Sequence, residues 1–224
     1  MQVKIKTTKT YAEFWDNIVN NEYDLVHMNQ YQYLLAYKQT NYRIFLMNEE
    51  FGQSTLRSVI IARKDSGIRS IEDLKGKNII FGGNKTAMMS YLIPQNMLKM
   101  ASINTSDYTT MFARNPPNAL LAIFLKRADA GGIGDVLLKS KKIQERIKTN
   151  ELRIIATSDP VAHLAWATSH HLQEELKKQI EDSLLRLKYS SRGKIILTNA
   201  KLTGFKKAVH ADYGPLEKYM EPIN

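Results

Sequence analysis

One glycine-rich stretch has the residue order of an anion-binding turn. The stretch Phe81–Pro94, FGGNKTAMMSYLIP, follows an apolar run and leads into a segment that favours a helix. A strand, a glycine turn and a helix start can hold an anion, because the first amides of a helix have no intrahelical partner and carry partial positive charge. Met88 and Met89 stand where such a turn would want hydroxyls. These flexible, polarisable side chains could line an adaptable pocket, and they would serve equally well as helix core.

Further polar residues follow other segments that favour strands. Open α/β sheets bind ligands in the crevice outside the carboxyl ends of their strands. Amides beside aromatics follow the apolar segment 23–28, two asparagines flank Pro116-Pro117, and an aspartate ends the segment GGIGD. The predicted ligand-binding residues are therefore Asn29, Gln30, Tyr31, Tyr33, Asn84, Lys85, Thr86, Ala87, Met88, Met89, Asn115, Asn118 and Asp135.

Ordinary structural roles stay open for several of these positions. Tyr33 could pack under the helix that follows it, and Lys85 could be a solvated surface lysine. Asn115 is also a good helix N-cap, because a short polar side chain can accept from the first amides of a helix. Asp135 could cap a helix in the same way. His27 ends a buried segment and is read as a hydrogen-bonded core histidine.

No residue pattern in the chain indicates catalysis or metal binding. Cysteine is absent, which excludes disulfides, thiolate metal sites and thiol chemistry. There is no nucleophile elbow, no His-Glu-x-x-His and no acidic pair at a recognisable spacing. His170 and His171 lack a third ligand at metal spacing. We therefore predict a protein that is not an enzyme and has no cofactor, although residues distant in sequence could still meet in space.

The charge and hydropathy patterns narrow the class of partner. The 224-residue chain has a formal net charge of +10, but its basic residues are scattered and no run of five occurs. A nucleic-acid footprint would cluster on one face, so a solvated surface is favoured and no nucleic-acid partner is predicted. No stretch reaches the roughly 18 apolar residues that a membrane span needs. We therefore expect no direct membrane insertion by these residues.

Strand and helix patterns alternate along most of the chain. This alternation predicts an α/β fold with mainly parallel sheets. A long amphipathic helix is predicted near the end, marked by Leu172, Leu176, Ile180 and Leu184. The predicted strands are 1–8, 23–28, 58–63, 78–83, 108–113, 128–134 and 152–157. The other predicted helices are 11–19, 31–38, 70–76, 87–100, 117–127, a basic helix to about 148, and short pieces around 203–209 and 215–220.

Several stretches together resemble a known family. The central block 57–83, RSVIIARKDSGIRSIEDLKGKNIIFGG, resembles the phosphate/phosphite/phosphonate branch of periplasmic solute-binding proteins. YDLVHMNQYQYLLA resembles the strand and loop that supply ligand contacts from the first lobe of that family. KRADAGGIGDVLL resembles the return strand of the second lobe, and GFKKAVHADYGPLEKYME resembles the closing segment. The resemblance runs from about Val3 to Glu221.

The resemblance implies a fold and a function. We expect a two-lobed, type II periplasmic-binding-protein-like fold with a ligand cleft between lobes, lobe one comprising 1–56 plus 157–224 and lobe two 57–156. The implied function is capture of a small-molecule ligand by hinge closure for an ABC-type importer, with a membrane permease as partner and a periplasmic or extracytoplasmic location. The alternative is the ligand-sensing extracytoplasmic domain of a membrane-bound signalling receptor.

The chain departs from the family pattern at points that bear on the ligand. Members usually begin with a further strand and helix, so this sequence starts at what would be the second strand. They also carry a hydroxyl-rich run where this chain has Thr86-Ala87-Met88-Met89-Ser90, and more carboxylates for a protonated amine. We therefore expect a phosphonate- or phosphate-like ligand with a sizeable apolar part, its polar head against Asn29, Gln30 and Asp135.

Overall fold

Two separate β-sheets organise the structure, a computed structural model that describes residues 3–220. A short two-stranded ribbon lies on the chain segments that run between the two sheets. The strands are β1 Leu25–Met28, β2 Arg43–Glu49, β3 Thr55–Leu56, β4 Ser58–Arg63, β5 Asn78–Gly82, β6 Thr109–Ala113, β7 Ala130–Gly134, β8 Leu152–Thr157, β9 Val161–Ala162, β10 Ala165–Thr168 and β11 Gly204–Lys207. The helices are α1 Tyr11–Val19, α2 Gln30–Gln39, α3 Ile93–Met100, α4 Pro116–Phe124, α5 Val136–Lys139, α6 Lys141–Gln144, α7 Glu174–Arg186 and α8 Ser191–Asn199, with a π-helical segment Met88–Leu92 leading into α3.

The first sheet has the order β1-β10-β2-β11, and every neighbouring pair in it is antiparallel. Its strands come from both ends of the described chain. Ala167 of β10 lies between Val26 of β1 and Ile44 of β2, and all three side chains are buried. The first sheet therefore depends on a strand that enters it late in the sequence.

The second sheet has the order β6-β5-β7-β4-β8. Strand β5 runs parallel to both β6 and β7, while β4 is antiparallel to both β7 and β8. Five of the six residues of β4 are buried, because this strand lies inside the sheet and is covered on both faces.

The expectation of mainly parallel sheets is wrong. Of the eight strand pairings among the described residues, only β5 with β6 and β5 with β7 are parallel. Strands joined by a helix do run in the same direction, as the alternating pattern predicts. However, β10 is inserted in the opposite direction between β1 and β2, and β4 is inserted in the same way between β7 and β8. The local pattern contains no signal for these insertions.

The glycines of β7 bring the Met88–Met100 helical segment against the second sheet. A Cβ atom on Gly132 would lie 2.7 Å from the carbonyl oxygen of Ser90 and 2.5 Å from Cγ of Pro94. Only a residue without a side chain allows this approach. The close approach fixes where this helical segment begins, and that start is at the candidate site.

Other local predictions have mixed outcomes. Residues 3–8 form no strand, and Met1 and Gln2 lie outside the described residues, so the predicted first strand is wrong where it can be checked. The helix predicted at 203–209 is wrong, because β11 occupies 204–207 and pairs with β2. The helices at 11–19 and 31–38 and the strand at 58–63 are confirmed. No helix in the described part of the chain has both the length and the apolar character to cross a membrane.

Candidate functional site

Tyr11 at the start of α1 lines a cleft of about 390 Å³ that also lies where three further helical segments begin. They are α2 on the first sheet, and α4 and the Met88–Leu92 turn on the second. Among the described residues, no aspartate or glutamate lines this cleft. The lining residues are Tyr11, Asn29, Gln30, Gly82, Gly83, Asn84, Ala87, Met88, Met89, Ser90, Arg114, Asn115, Pro116 and Leu164.

The glycine turn after β5 is held by its own backbone and by one asparagine. Gly83 has φ +102° and donates its amide to the carbonyl of Ala113 at 2.8 Å. Asn84 Oδ1 accepts from the Thr86 amide at 2.9 Å and from the Thr86 hydroxyl at 2.7 Å. The turn is therefore pre-formed, and its one threonine hydroxyl already donates within the turn.

The helical segment that begins at Met88 has no side-chain cap. Ala87 occupies the N-cap position in an extended conformation and carries no acceptor on its side chain. The amides of Met88, Met89 and Ser90 have no hydrogen-bond partner within residues 3–220. The amide of Leu92 bonds to the carbonyl of Ala87 in the i to i−5 manner of a π-helix, which is often found at functional sites. Three amides at a positive helix end thus remain available to an anion.

Buried serines fix the position of this helix start. The Ser90 hydroxyl donates to the carbonyl of Gly82, and the Ser58 hydroxyl donates to the carbonyl of Met89 at 2.6 Å. Both serines are almost completely buried. The helix start is therefore tied both to the glycine turn and to β4, so its free amides are held in a defined direction.

The starts of α2 and α4 at the cleft are already capped. Asn29 Oδ1 accepts from the Gln32 amide at 2.8 Å, and Gln32 Oε1 accepts from the Asn29 amide at 3.1 Å, which is a capping box. Asn115 Oδ1 accepts from the Asn118 amide at 3.0 Å. The start of α4 offers no donors from its first two residues, because both are prolines.

Gln30 is the buried amide of the cleft wall. Its side chain is 1% exposed, and its Nε2 donates to the carbonyl of Ala162 in β9 at 2.9 Å. A carbonyl can only accept, so this bond fixes which end of the amide faces β9. Gln30 Oε1 is buried and has no partner among the described residues. An acceptor buried without a partner is costly, and an ordered water, an ion or a bound molecule can supply the bond.

Arg114 supplies the positive charge of the cleft. It lies at the turn from β6 to α4 and is exposed. No carboxylate within residues 3–220 forms an ion pair with it. Its planar guanidinium group is suited to two parallel bonds with a phosphonate or carboxylate.

The structure brings about half of the predicted site residues together. Seven line the cleft, namely Asn29, Gln30, Asn84, Ala87, Met88, Met89 and Asn115. The other six, which do not line it, are Tyr31, Tyr33, Lys85, Thr86, Asn118 and Asp135. The role of each of these residues in ligand binding stays a prediction.

Tyr33 and Asp135, two of the six residues outside the cleft, have structural partners away from the glycine turn. The Tyr33 ring is fully buried against Tyr213, its hydroxyl lies 3.1 Å from Nδ1 of His210, and burial raises the pKa of its phenol. Asp135 Oδ1 accepts from the amides of Arg57 and Val136 at 3.1 and 2.9 Å. The packing and capping alternatives therefore describe what these two side chains do in this structure.

Sequence reasoning missed seven residues that line the cleft: Tyr11, Gly82, Gly83, Ser90, Arg114, Pro116 and Leu164. Arg114 and Pro116 flank a predicted residue at a strand end, so the same positional rule could have found them. Leu164 follows β9 and Tyr11 begins α1, and neither position has a local signal. No group of three or more metal-binding side chains occurs within the described range.

The fold and the cleft together define a class of protein. The chain resembles a binding protein component of an ABC phosphonate transporter from Pseudomonas aeruginosa, with a TM-score of 0.81, 18% identity, and coverage of 95% of this chain and 72% of the other. It resembles a Prochlorococcus marinus protein in complex with methylphosphonate, with a TM-score of 0.80, 18% identity and coverage of 95% and 82%. It also resembles a Xanthomonas citri protein bound to ATP, with a TM-score of 0.78, 16% identity, and coverage of 93% of this chain and 80% of the other. At these identities the likeness shows the fold, which is that of two-lobed periplasmic binding proteins.

The family follows from the sequence match. A model described as "ABC transporter, phosphonate, periplasmic substrate-binding protein" matches residues 1–213. The chain belongs to this family of substrate-binding proteins, as its motifs predicted. The members and structural relatives are transport binding proteins rather than enzymes, and the family is extracytoplasmic.

Proposed function

We propose that this chain binds a small phosphonate-like anion with an apolar part and presents it to an ABC-type permease. The observation that carries the proposal is the uncapped helix start, where the amides of Met88, Met89 and Ser90 have no partner within residues 3–220. In the capped starts of α2 and α4, side chains already accept from one of the first amides. A phosphonate oxygen at the free amides would supply what those caps supply elsewhere.

The apolar part of the proposed ligand follows from the other lining residues. Met89, Leu164 and Tyr11 line the cleft with carbon or sulfur surface. Burying apolar surface stabilises a complex by about 25 cal/mol per Å², so roughly 80 Å² would contribute about 2 kcal/mol. An alkyl group of a few carbons has this area, whereas phosphite has none.

Hinge closure is supported by the distribution of the lining residues. Asn29, Gln30 and Leu164 lie in the proposed lobe one, 1–56 plus 157–224, and most of the other lining residues lie in the proposed lobe two, 57–156. The chain crosses between these lobes in the ribbon of β3 and β9, where the His163 amide bonds to the carbonyl of Ser54 at 3.0 Å. A ligand that touches both walls favours the closed population.

Met88 is the contact about which the lobes would turn. Its side chain is 1% exposed and packs, with Leu92 and Ile93, in the same hydrophobic cluster as Val26 and Ala165 of the first sheet and Tyr33 of α2. In the proposal, the two lobes keep this apolar contact while the cleft beside it opens and closes. Thioether side chains accommodate small rearrangements, because they have several soft torsions and a polarisable sulfur.

Titration calorimetry with a series of phosphorus oxyanions tests the proposed ligand. We expect binding of methyl-, propyl- and butylphosphonate with affinity rising along the series, and weaker binding of phosphate and phosphite. Binding of phosphite or methylphosphonate alone would contradict the apolar part, and binding of none would contradict the function. Small-angle scattering should show a smaller radius of gyration with butylphosphonate, and an unchanged radius would contradict closure.

A further inference from the structure

We infer that Arg114 is a specificity-determining residue that makes this cleft reject phosphonates carrying an ammonium group. The substrate class is then alkyl and hydroxyalkyl phosphonates, not aminoalkyl phosphonates. The inference rests on the proposed function, because it concerns the chemistry of the organic part of the same ligand.

Arg114 and the helix starts give the cleft wall positive charge. Arg114 lies at the end of β6, and the starts of α2, α4 and the Met88–Leu92 turn surround the same volume. Each helix start carries a partial positive charge. Among the described lining residues no carboxylate offsets these charges. A dianionic phosphonate gains from this field, whereas an ammonium group on the same ligand would be repelled by it.

Asp135 is the acidic residue that could have been expected to receive an ammonium group. It does not line the cleft, and its Oδ1 accepts from the amides of Arg57 and Val136. These two bonds hold the carboxylate at the start of α5. An ammonium group in the cleft would therefore have no anionic partner there, and an unpaired charge removed from water is strongly disfavoured.

Gln30 gives the cleft a neutral acceptor instead. Its Oε1 is buried without a partner, and the bond from Nε2 to the carbonyl of Ala162 holds the amide in this orientation. A neutral amide oxygen suits a hydroxyl donor, whose desolvation costs far less than that of an ammonium group. Because Oε1 is buried, a hydroxyl donor reaches it only when the side chains around it rearrange.

Calorimetry with three ligands of similar size tests the inference on the full chain. The ligands are ethylphosphonate, 2-hydroxyethylphosphonate and 2-aminoethylphosphonate. We expect ethyl- and hydroxyethylphosphonate to bind, and 2-aminoethylphosphonate to bind at least about tenfold more weakly than ethylphosphonate, as expected for one uncompensated charge. Equal or tighter binding of the amino ligand would overturn the inference.

Charge variants then assign the discrimination to Arg114. Arg114→Gln should weaken ethylphosphonate binding about tenfold and bring the ratio of the amino to the ethyl affinity closer to one. Arg114→Glu should reverse the preference, because it places a carboxylate at the cleft. Arg127→Gln and Arg127→Glu are the matched controls, since Arg127 is exposed and does not line the cleft.

The possible failures are distinguishable. If none of the three phosphonates binds the wild-type chain, the proposed function fails. If ethylphosphonate binds and the Arg114 variants discriminate as the wild type does, the proposed function stands and the role of Arg114 is overturned. Circular dichroism of each variant verifies folding. Arg114→Gln keeps the test available if Arg114→Glu does not fold.

Discussion

The cleft is lined by two helix starts that differ in whether a side chain caps their first amides. At α2, the Asn29 side chain accepts from the Gln32 amide at 2.8 Å and the box is closed in return by Gln32. At the Met88–Leu92 turn, Ala87 stands in the same structural position with no acceptor. The first arrangement stabilises its helix without help from a ligand, while the second leaves hydrogen-bonding capacity unused.

The difference shows how a binding protein can divide stability and recognition between its two walls. A capped start contributes about 1 kcal/mol to the folded state whether or not a ligand is present. An uncapped start forgoes this contribution and can recover it from a bound anion. Substitutions in either wall, and a change of pH, test this division, beginning with the largest expected effect.

A side-chain cap at Ala87 should make the start of the Met88–Leu92 turn similar to the capped start of α2. Ala87→Asp places a carboxylate where it can accept from the amides of the Met88 turn. We expect phosphonate affinity to fall about 100-fold, because the new carboxylate occupies the amides and repels the ligand. The free energy of unfolding without ligand should rise by about 1 kcal/mol. Calorimetry and urea titration measure the two effects.

Ala87→Ser is the matched control for this prediction. It caps the same amides without adding charge, so we expect a similar gain in stability and a smaller loss of affinity. If Ala87→Asp binds butylphosphonate as tightly as the wild type does, the free amides are not the anion site.

A side chain at Gly82 should displace the start of α4 and destabilise the fold next to the cleft. A Cβ atom on Gly82 would lie 2.3 Å from Cα of Pro116. We expect Gly82→Ala to reduce the free energy of unfolding by about 1 to 3 kcal/mol, because backbone must shift to relieve the overlap. Gly214→Ala is the control, since a Cβ there meets nothing within 4 Å. Equal stabilities of the two variants in urea titration would contradict this account of the packing.

Removing the existing cap should bring α2 closer to the uncapped case. Asn29→Ala deletes the acceptor of the Gln32 amide, and we expect a loss of about 1 kcal/mol in the free energy of unfolding. Gln32→Ala removes only the reciprocal bond, so its loss should be smaller. Chemical denaturation of both variants gives the comparison. A larger loss for Gln32→Ala would contradict this expectation, because it would mean that the bond from the Asn29 amide to Gln32 Oε1 stabilises the box more than the Asn29 cap does.

Stability should depend slightly on pH through His210, which lies on the first-sheet side and does not line the cleft. Burial of His210 lowers its pKa below the ordinary value of 6.5, opposed by Glu217 and assisted by Arg43 and Lys38. The unfolded chain therefore binds the proton more readily, so this contribution to stability is complete above pH 6.5 and is lost as pH falls below it. We expect a small loss of stability between pH 7 and pH 5, monitored by thermal unfolding. His210→Gln should reduce that dependence without abolishing it, because burial also lowers the pKa of His27 to about 4; an unchanged slope would contradict the contribution of His210.

Local patterns predicted those parts of the fold that depend on neighbouring residues. The glycine turn at Gly82 and Gly83 and the strand 58–63 have short-range signals and are present as expected, and α4 begins at Pro116, one residue before the predicted start. Strand β10, which pairs with strands more than 100 residues earlier in the chain, has no such signal. The helix predicted at 203–209 is strand β11, because pairing with β2 overrides local preference.

The candidate site divides in the same way. Asn29, Asn84 and Met89 could be found because each follows a predicted strand, and they line the cleft. Tyr33 follows the same strand as Asn29 but points into the core, and local sequence does not distinguish these two outcomes. Leu164 reaches the cleft only through tertiary structure, since it follows a two-residue strand that pairs with β3.

The interleaving of β10 between β1 and β2 has a consequence for the order of folding. Residues 58–157 supply every strand of the second sheet, so this sheet can assemble from one continuous piece of a growing chain. The first sheet has to wait for residue 168 to join β1 and β2, and for residue 207 to complete its other edge. Such long-range closure is slow. Until residue 168 has been made, Val26 and Ile44 lack the β10 partner that lies between them, and apolar strands left unpaired in this way are prone to aggregation.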